Sequence, residues 1–245
     1  MIAASAITLV IVLAIASIAL WRQNNDNPAA TSNATASGST PDGARGTTDA
    51  ERTVALKHAG RIVFVVDTSN GMGPWLDAAK DGVSSLVATL PDEVSAGLIT
   101  YSSSGANVGT PIAPANAGQR GQLSDAMRSL KAGGGPGPLP DALLLGYQNA
   151  VNNAAPNTAP LVVVITASGM ASGTDISTLT SFIQADASNR VTAARVVALA
   201  GTGADRAPLD KAASTTHGRV DAVKDADELR TAIRDVAVSK GGSGS

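Results

Sequence analysis

Arg61-Ile62-Val63-Phe64-Val65-Val66-Asp67-Thr68-Ser69-Asn70-Gly71-Met72 is the stretch that decides the fold. After the arginine come five β-branched or aromatic residues with no polar alternation. A strand with one wet face alternates; a strand without alternation is covered on both faces. Leu161–Thr166 (LVVVIT) and Arg195–Ala200 (RVVALA) repeat the pattern, and Ala96–Tyr101 (AGLITY) repeats it more weakly. Val108–Ile112 and Arg219–Val223 read as edge strands. Between the strands, apolar residues recur at helical spacing. The stripes are Trp75, Ala79, Val83, Leu86, Val87 and Leu90; Leu123, Met127 and Leu130; Leu143, Leu144, Tyr147 and Val151; Ile176, Leu179, Phe182 and Ile183; and Leu229, Ile233 and Val236. Asp210–Thr215 adds a short helix. This alternation predicts an α/β, Rossmann-like doubly wound and mostly parallel sheet flanked by helices on both faces. Such folds hold ligands beyond the carboxyl ends of their strands. The loops that matter therefore follow Val66, follow Thr166, and precede Pro140.

Composition excludes several functions. The 245 residues carry a net charge of −2, so no basic excess favours nucleic acid. Cysteine is absent, which removes disulfides, thiolate metal sites and cysteine nucleophiles. Aromatic residues are only 2%, too few for stacking platforms, and the core must be aliphatic. No G-x-S-x-G, H-E-x-x-H or S-x-x-K motif occurs. His58 and His217 are isolated from any acid–nucleophile set. The expectation is a protein that is not an enzyme and has no catalytic residues.

Residues 2–21 contain no charge and, as a helix, would span about 30 Å, the thickness of a bilayer's hydrocarbon core. Trp21 and Arg22 close the run as an interfacial aromatic and a snorkelling cation. The segment exceeds a cleavable signal's apolar region, so it reads as a transmembrane signal-anchor helix. Residues 22–55 read as a flexible linker, rich in Ala, Ser, Thr, Asn and Gly from Gln23 to Asp49. Residues 56–239 form the folded domain, and 240–245 a flexible tail. Arg22 alone points the domain inward, whereas a spacer of this composition suits an outer surface. The expectation is a single-pass cell-membrane protein with an extracytoplasmic domain.

The segment Asp67-Thr68-Ser69-Asn70-Gly71-Met72, at the end of a buried strand, is a D-x-S-x-(S/G)-M motif. With the element order from Arg61 to Val238, it resembles the von Willebrand factor type A family. Gly133-Gly134-Gly135-Pro136-Gly137-Pro138-Leu139-Pro140-Asp141-Ala142-Leu143 is similar to that family's G-G-T-x-L-x-x-A-L stretch. Leu161–Thr166 with Ala167-Ser168-Gly169 resembles its strand ending in T-D-G. The resemblance implies protein binding through a metal-ion-dependent adhesion site, in which oxygen ligands hold Mg or Mn and an open position takes a partner's carboxylate. Asp67 and Ser69 match two of those ligands. Gly71, Gly137 and Ala167 stand where the family has a serine, a threonine and an aspartate.

One carboxylate with neutral oxygens suits a hard divalent ion poorly. The expectation is therefore no cofactor, with Asp67 and Ser69 bonding backbone amides to order the turn, and Met72 as a packing residue. Asp141 reads as a helix N-terminal residue. The partner-binding face is placed at Asp67, Ser69, Asn70, Trp75, Gly137 and Ser168. The partner is another protein, met in adhesion or envelope assembly. The alternative is a solute-binding or regulatory module of a transport system, with a pocket at the same loops.

Overall fold

The computed structural model describes residues 47–167, 176–189, 194–201 and 206–238. Six strands form one sheet in the order β3-β2-β1-β4-β5-β6. They are β1 Arg61–Asp67, β2 Ser95–Ser102, β3 Gly105–Pro114, β4 Leu161–Thr166, β5 Arg195–Gly201 and β6 Arg219–Val223. All neighbours run parallel except β2 and β3, which form an antiparallel hairpin at one edge. The predicted doubly wound sheet is the observed one, and chain order reverses between β1 and β4.

The strand pattern reports two covered faces. On one side of the sheet Ile62, Phe64, Val66, Val163 and Leu199 meet buried residues of α1 (Asp49–Ala59), α2 (Leu76–Ala88), α3 (Ala117–Ser129) and α7 (Ala226–Arg234). On the other, Val63, Val65, Val162, Val164 and Ala198 meet α4 (Leu139–Val151), α5 (Ser177–Asn189) and α6 (Ala207–Thr215). Consecutive side chains of a strand point to opposite faces, so each central strand supplies both cores. At the β2–β3 hairpin the register shifts between Ala96 and Ile99. There the buried Gln119 amide donates to the carbonyls of Ala96 and Pro111, both at 2.8 Å. It covers acceptors near the irregularity in the ladder.

Helix α1 corrects the linker boundary: it spans Asp49–Ala59, within and beyond the segment 22–55 read as flexible. Thr48 and Glu51 form a reciprocal capping box. The Thr48 amide donates to Glu51 Oε2 at 2.8 Å, and the Glu51 amide donates to Thr48 Oγ1 at 3.3 Å. Leu56 and Ala59 are buried, and Arg52 Nε lies 2.6 Å from Asp235 Oδ1. Gly60, at φ 66°, donates to the Leu56 carbonyl and turns the chain into β1. The proposed membrane segment 2–21 and the tail 240–245 lie outside the described residues. Among the described residues, no helix is long and apolar enough to cross a membrane.

Because α1 packs on the main core, its cap contributes to global stability. Thr48→Ala is expected to lower the unfolding free energy by about 1 kcal/mol in urea titrations. An unstructured linker would show no change.

Candidate functional site

At the end of β1 the backbone delivers Asp67 into the core rather than onto the surface. Asp67 and Ser69 are each 1% exposed. The Ser69 amide donates to Asp67 Oδ1 at 2.8 Å, and Thr166 Oγ1, from the end of β4, donates to Asp67 Oδ2 at 3.0 Å. A buried carboxylate persists only when its oxygens are hydrogen-bonded, and these bonds tie the first loop to the neighbouring strand. Ser69 departs from expectation: its Oγ is buried with no hydrogen-bond partner among the described residues, and it makes no side-chain cap. Met72 is fully buried as expected, and Asp141 lies in the first turn of α4, exposed.

The Gly-rich loop is stitched to the first loop by main-chain bonds. The Asn70 amide donates to the Gly134 carbonyl at 3.0 Å, and the Gly133 amide to the Thr68 carbonyl at 2.8 Å. Thr68 also donates from both N and Oγ1 to the Tyr101 carbonyl, fixing the loop to β2. Ser103 and Gly135 exchange two further bonds. Gly137 sits so close to β2 that a β-carbon there would fall 2.8 Å from Ser102 Cα and closer still to its carbonyl.

Two residues escaped the sequence reading as members of this cluster. Tyr101 pairs in register with Asp67 and is 2% exposed. Burial pushes its phenol well above its ordinary pKa, and the Asp67 carboxylate adds to the rise. Thr166 was legible as the end of a buried strand, but not as the donor that satisfies Asp67. The signal for Tyr101 was positional: it ends the strand beside β1.

Of the residues assigned to a partner face, Asn70 is exposed, and Trp75 and Gly137 are half-buried. Trp75 packs on the main core, and its ring lies near Gly201 at the end of β5. Asp67 and Ser69 lie beneath that face rather than on it, which corrects their assignment as contacts. Ser168 lies outside the described residues.

The sequence profile of the von Willebrand factor type A domain matches residues 62–235. The chain belongs to this family. No curated protein sequence matches it. Similar solved structures include a von Willebrand factor type A protein from Catenulispora acidiphila, at 20% identity and TM-score 0.60, covering 72% of this chain and 41% of that one. The pilus adhesin SpaC from Lactobacillus rhamnosus GG matches at 18% identity and TM-score 0.55, over 72% of this chain and 30% of that one. A mutant of the PilB minor pilin from Streptococcus sanguinis matches at 13% identity and TM-score 0.53, over 72% and 60%. The chain thus spans less than half the length of the first of these.

Among the described residues, the family's divalent-ion site is short of oxygen donors. The hydrogen bonds of Asp67 turn its two oxygens to Ser69 and Thr166. Gly71 and Ala167 bring no side-chain oxygen, and the Ser102 backbone fills the space a threonine at position 137 would need. No group of three or more His, Asp or Glu among the described residues is arranged to hold a metal.

Gly137→Thr is expected to cost about 3 kcal/mol of stability in urea unfolding, because the inserted atoms meet backbone that cannot swing aside. Unchanged stability would show that the loop yields. For Tyr101, an acid whose pKa is raised on folding, stability is complete below about pH 10 and falls as pH rises towards the folded value. The unfolded chain loses a proton there that the folded chain keeps. Tyr101→Phe is expected to flatten the decline in melting temperature between pH 9 and pH 11, measured by circular dichroism.

Proposed function

We propose that this chain is a membrane-anchored protein-binding module that works without a metal ion, in adhesion or in assembly of an envelope complex. The observation that carries this reading is the carboxylate of Asp67, buried and hydrogen-bonded by its own chain where the family would hold a cation. Family membership supports protein binding. The adhesive setting in this reading is taken from the pilus adhesin and the minor pilin whose fold this chain shares. The contact surface in this reading is Asn70, the rim of Trp75 and the Gly133–Gly137 loop, recognised by shape and neutral hydrogen bonds.

The anchor in this reading is the uncharged segment 2–21. In this reading the domain lies on the outer side of the membrane. No nucleic acid, cofactor or catalytic step belongs to the reading.

The test has two parts. Calorimetric titration of the full chain in neutral detergent with Mg²⁺ or Mn²⁺ is expected to show no site tighter than about 100 µM, a generous threshold for an oxygen-ligand site. A tighter site that disappears in Asp67→Ala would refute the metal-free mode. Capture of a partner from solubilised membranes is expected to survive EDTA and to weaken at least tenfold in Asn70→Lys or Trp75→Ala. Full binding by both variants would move the interface elsewhere.

A further inference from the structure

At the opposite end of the sheet, where the strands begin, lies a half-buried arginine with no anionic partner among the described residues. Arg195 opens β5 and is half-buried. The comparably buried Arg52, Arg120 and Arg219 each hold an aspartate: Asp235, Asp92 and Asp221. Arg61 donates to the carbonyls of Asn149 and Asn152. Arg195 has no carboxylate partner among the described residues, and its Nε is buried without an acceptor. Burial and the neighbouring charge of Arg219 both pull its pKa below the usual guanidinium value. A guanidinium does not shed its proton in a protein, so the cost of that burial persists until an anion arrives.

The space in front of it is a cavity of about 360 Å³ lined by Arg195, His58, Ala55, Ala159, Ala237 and Val238. His58 comes from the last turn of α1, whose carbonyl accepts from the Ala159 amide at 2.9 Å. Among the described residues, the lining includes no carboxylate and no second arginine or lysine. One planar fork matches one carboxylate through two parallel bonds, whereas phosphate sites gather further cations or helix amides. Apart from the His58 imidazole, the remaining described walls are the methyl groups of Ala55, Ala159, Ala237 and Val238, which suit a short aliphatic chain.

We infer that this cavity is a carboxylate-binding pocket in which Arg195 holds the anion and the Ala and Val side chains cover a short apolar group. It is separate from the Asp67 cluster and does not depend on the metal-free reading of the upper loops. The carboxylate is that of a small aliphatic acid or of a polypeptide terminus; both present the same group to Arg195.

The probe is propionate, added to the full chain in neutral detergent at constant ionic strength, with the arginine Nε–H resonances followed by NMR. A saturable shift of the Arg195 signal is expected, absent with propionamide and weakened about tenfold in Arg195→Lys, which keeps the charge but loses the fork. An acetylated dipeptide with a free carboxyl terminus that binds tighter than propionate assigns the carboxylate to a polypeptide; weaker binding assigns it to a small acid. Without ligand, Arg195→Met is expected to raise the melting temperature by about 2–4 °C, since it removes an unpaired charge. The proposal is overturned if chloride or inorganic phosphate reproduces the shift, if propionate produces none, or if Arg195→Met lowers the melting temperature.

Discussion

The upper end of this domain depends on satisfying one buried carboxylate. Asp67 stands at the end of the central strand, 1% exposed, at the point where chain order in the sheet reverses. In such a place a carboxylate must be neutralised or fully hydrogen-bonded. A bound cation is one solution. Here the chain supplies its own donors, one from the next loop's backbone and one from the end of β4. The loop geometry follows from that arrangement. Ser69 must bring its amide under the carboxylate, which commits Thr68 to β2 and Asn70 to the Gly-rich loop.

The glycines of the second loop are part of the same constraint. Close approach of residues 133–137 to the first loop and to β2 allows the main-chain bonds that hold the three segments together, and at Gly137 that approach leaves no room for a side chain. The oxygen missing from position 137 and the tight seating of the loop are thus one fact seen from two sides. Restoring the threonine would require the loop to lift, and lifting it would break the bonds that position Asn70.

Much of the sheet was legible because burial on both faces leaves a distinctive pattern. The runs RIVFVV, LVVVIT and RVVALA have no polar alternation, and each delivers side chains to two separate cores. Helix α1 was not legible from periodicity, because only Leu56 and Ala59 of its residues are buried and Val54 is 68% exposed. Its signal was local instead: threonine three residues before glutamate, the mark of a capping box. At the site, the sequence identified Asp67 and Ser69 but not their depth. Depth depends on which neighbouring strand ends alongside, and that register brings Tyr101 and Thr166 to Asp67 only once the sheet is assembled.

The distribution of charge then distinguishes the two ends of the sheet. A family site that holds a cation presents positive charge at the carboxyl ends of the strands and attracts a partner's acidic group there. In this chain the carboxylate at the end of β1 is sealed beneath loop backbone, and the exposed Asp77 and Asp141 open the helices that follow the first loop and the Gly-rich loop. The half-buried unpaired cation is Arg195, at the amino ends, with Arg219 beside it. Arg219 is already matched by Asp221. An anion approaching the described part of the domain therefore finds its uncompensated, poorly solvated counter-charge at the base of the sheet. In the metal-free reading proposed above, recognition at the upper loops rests on fit and on hydrogen bonds, which act only at contact distance and make the rigidity of the stitched loops the quantity that matters there.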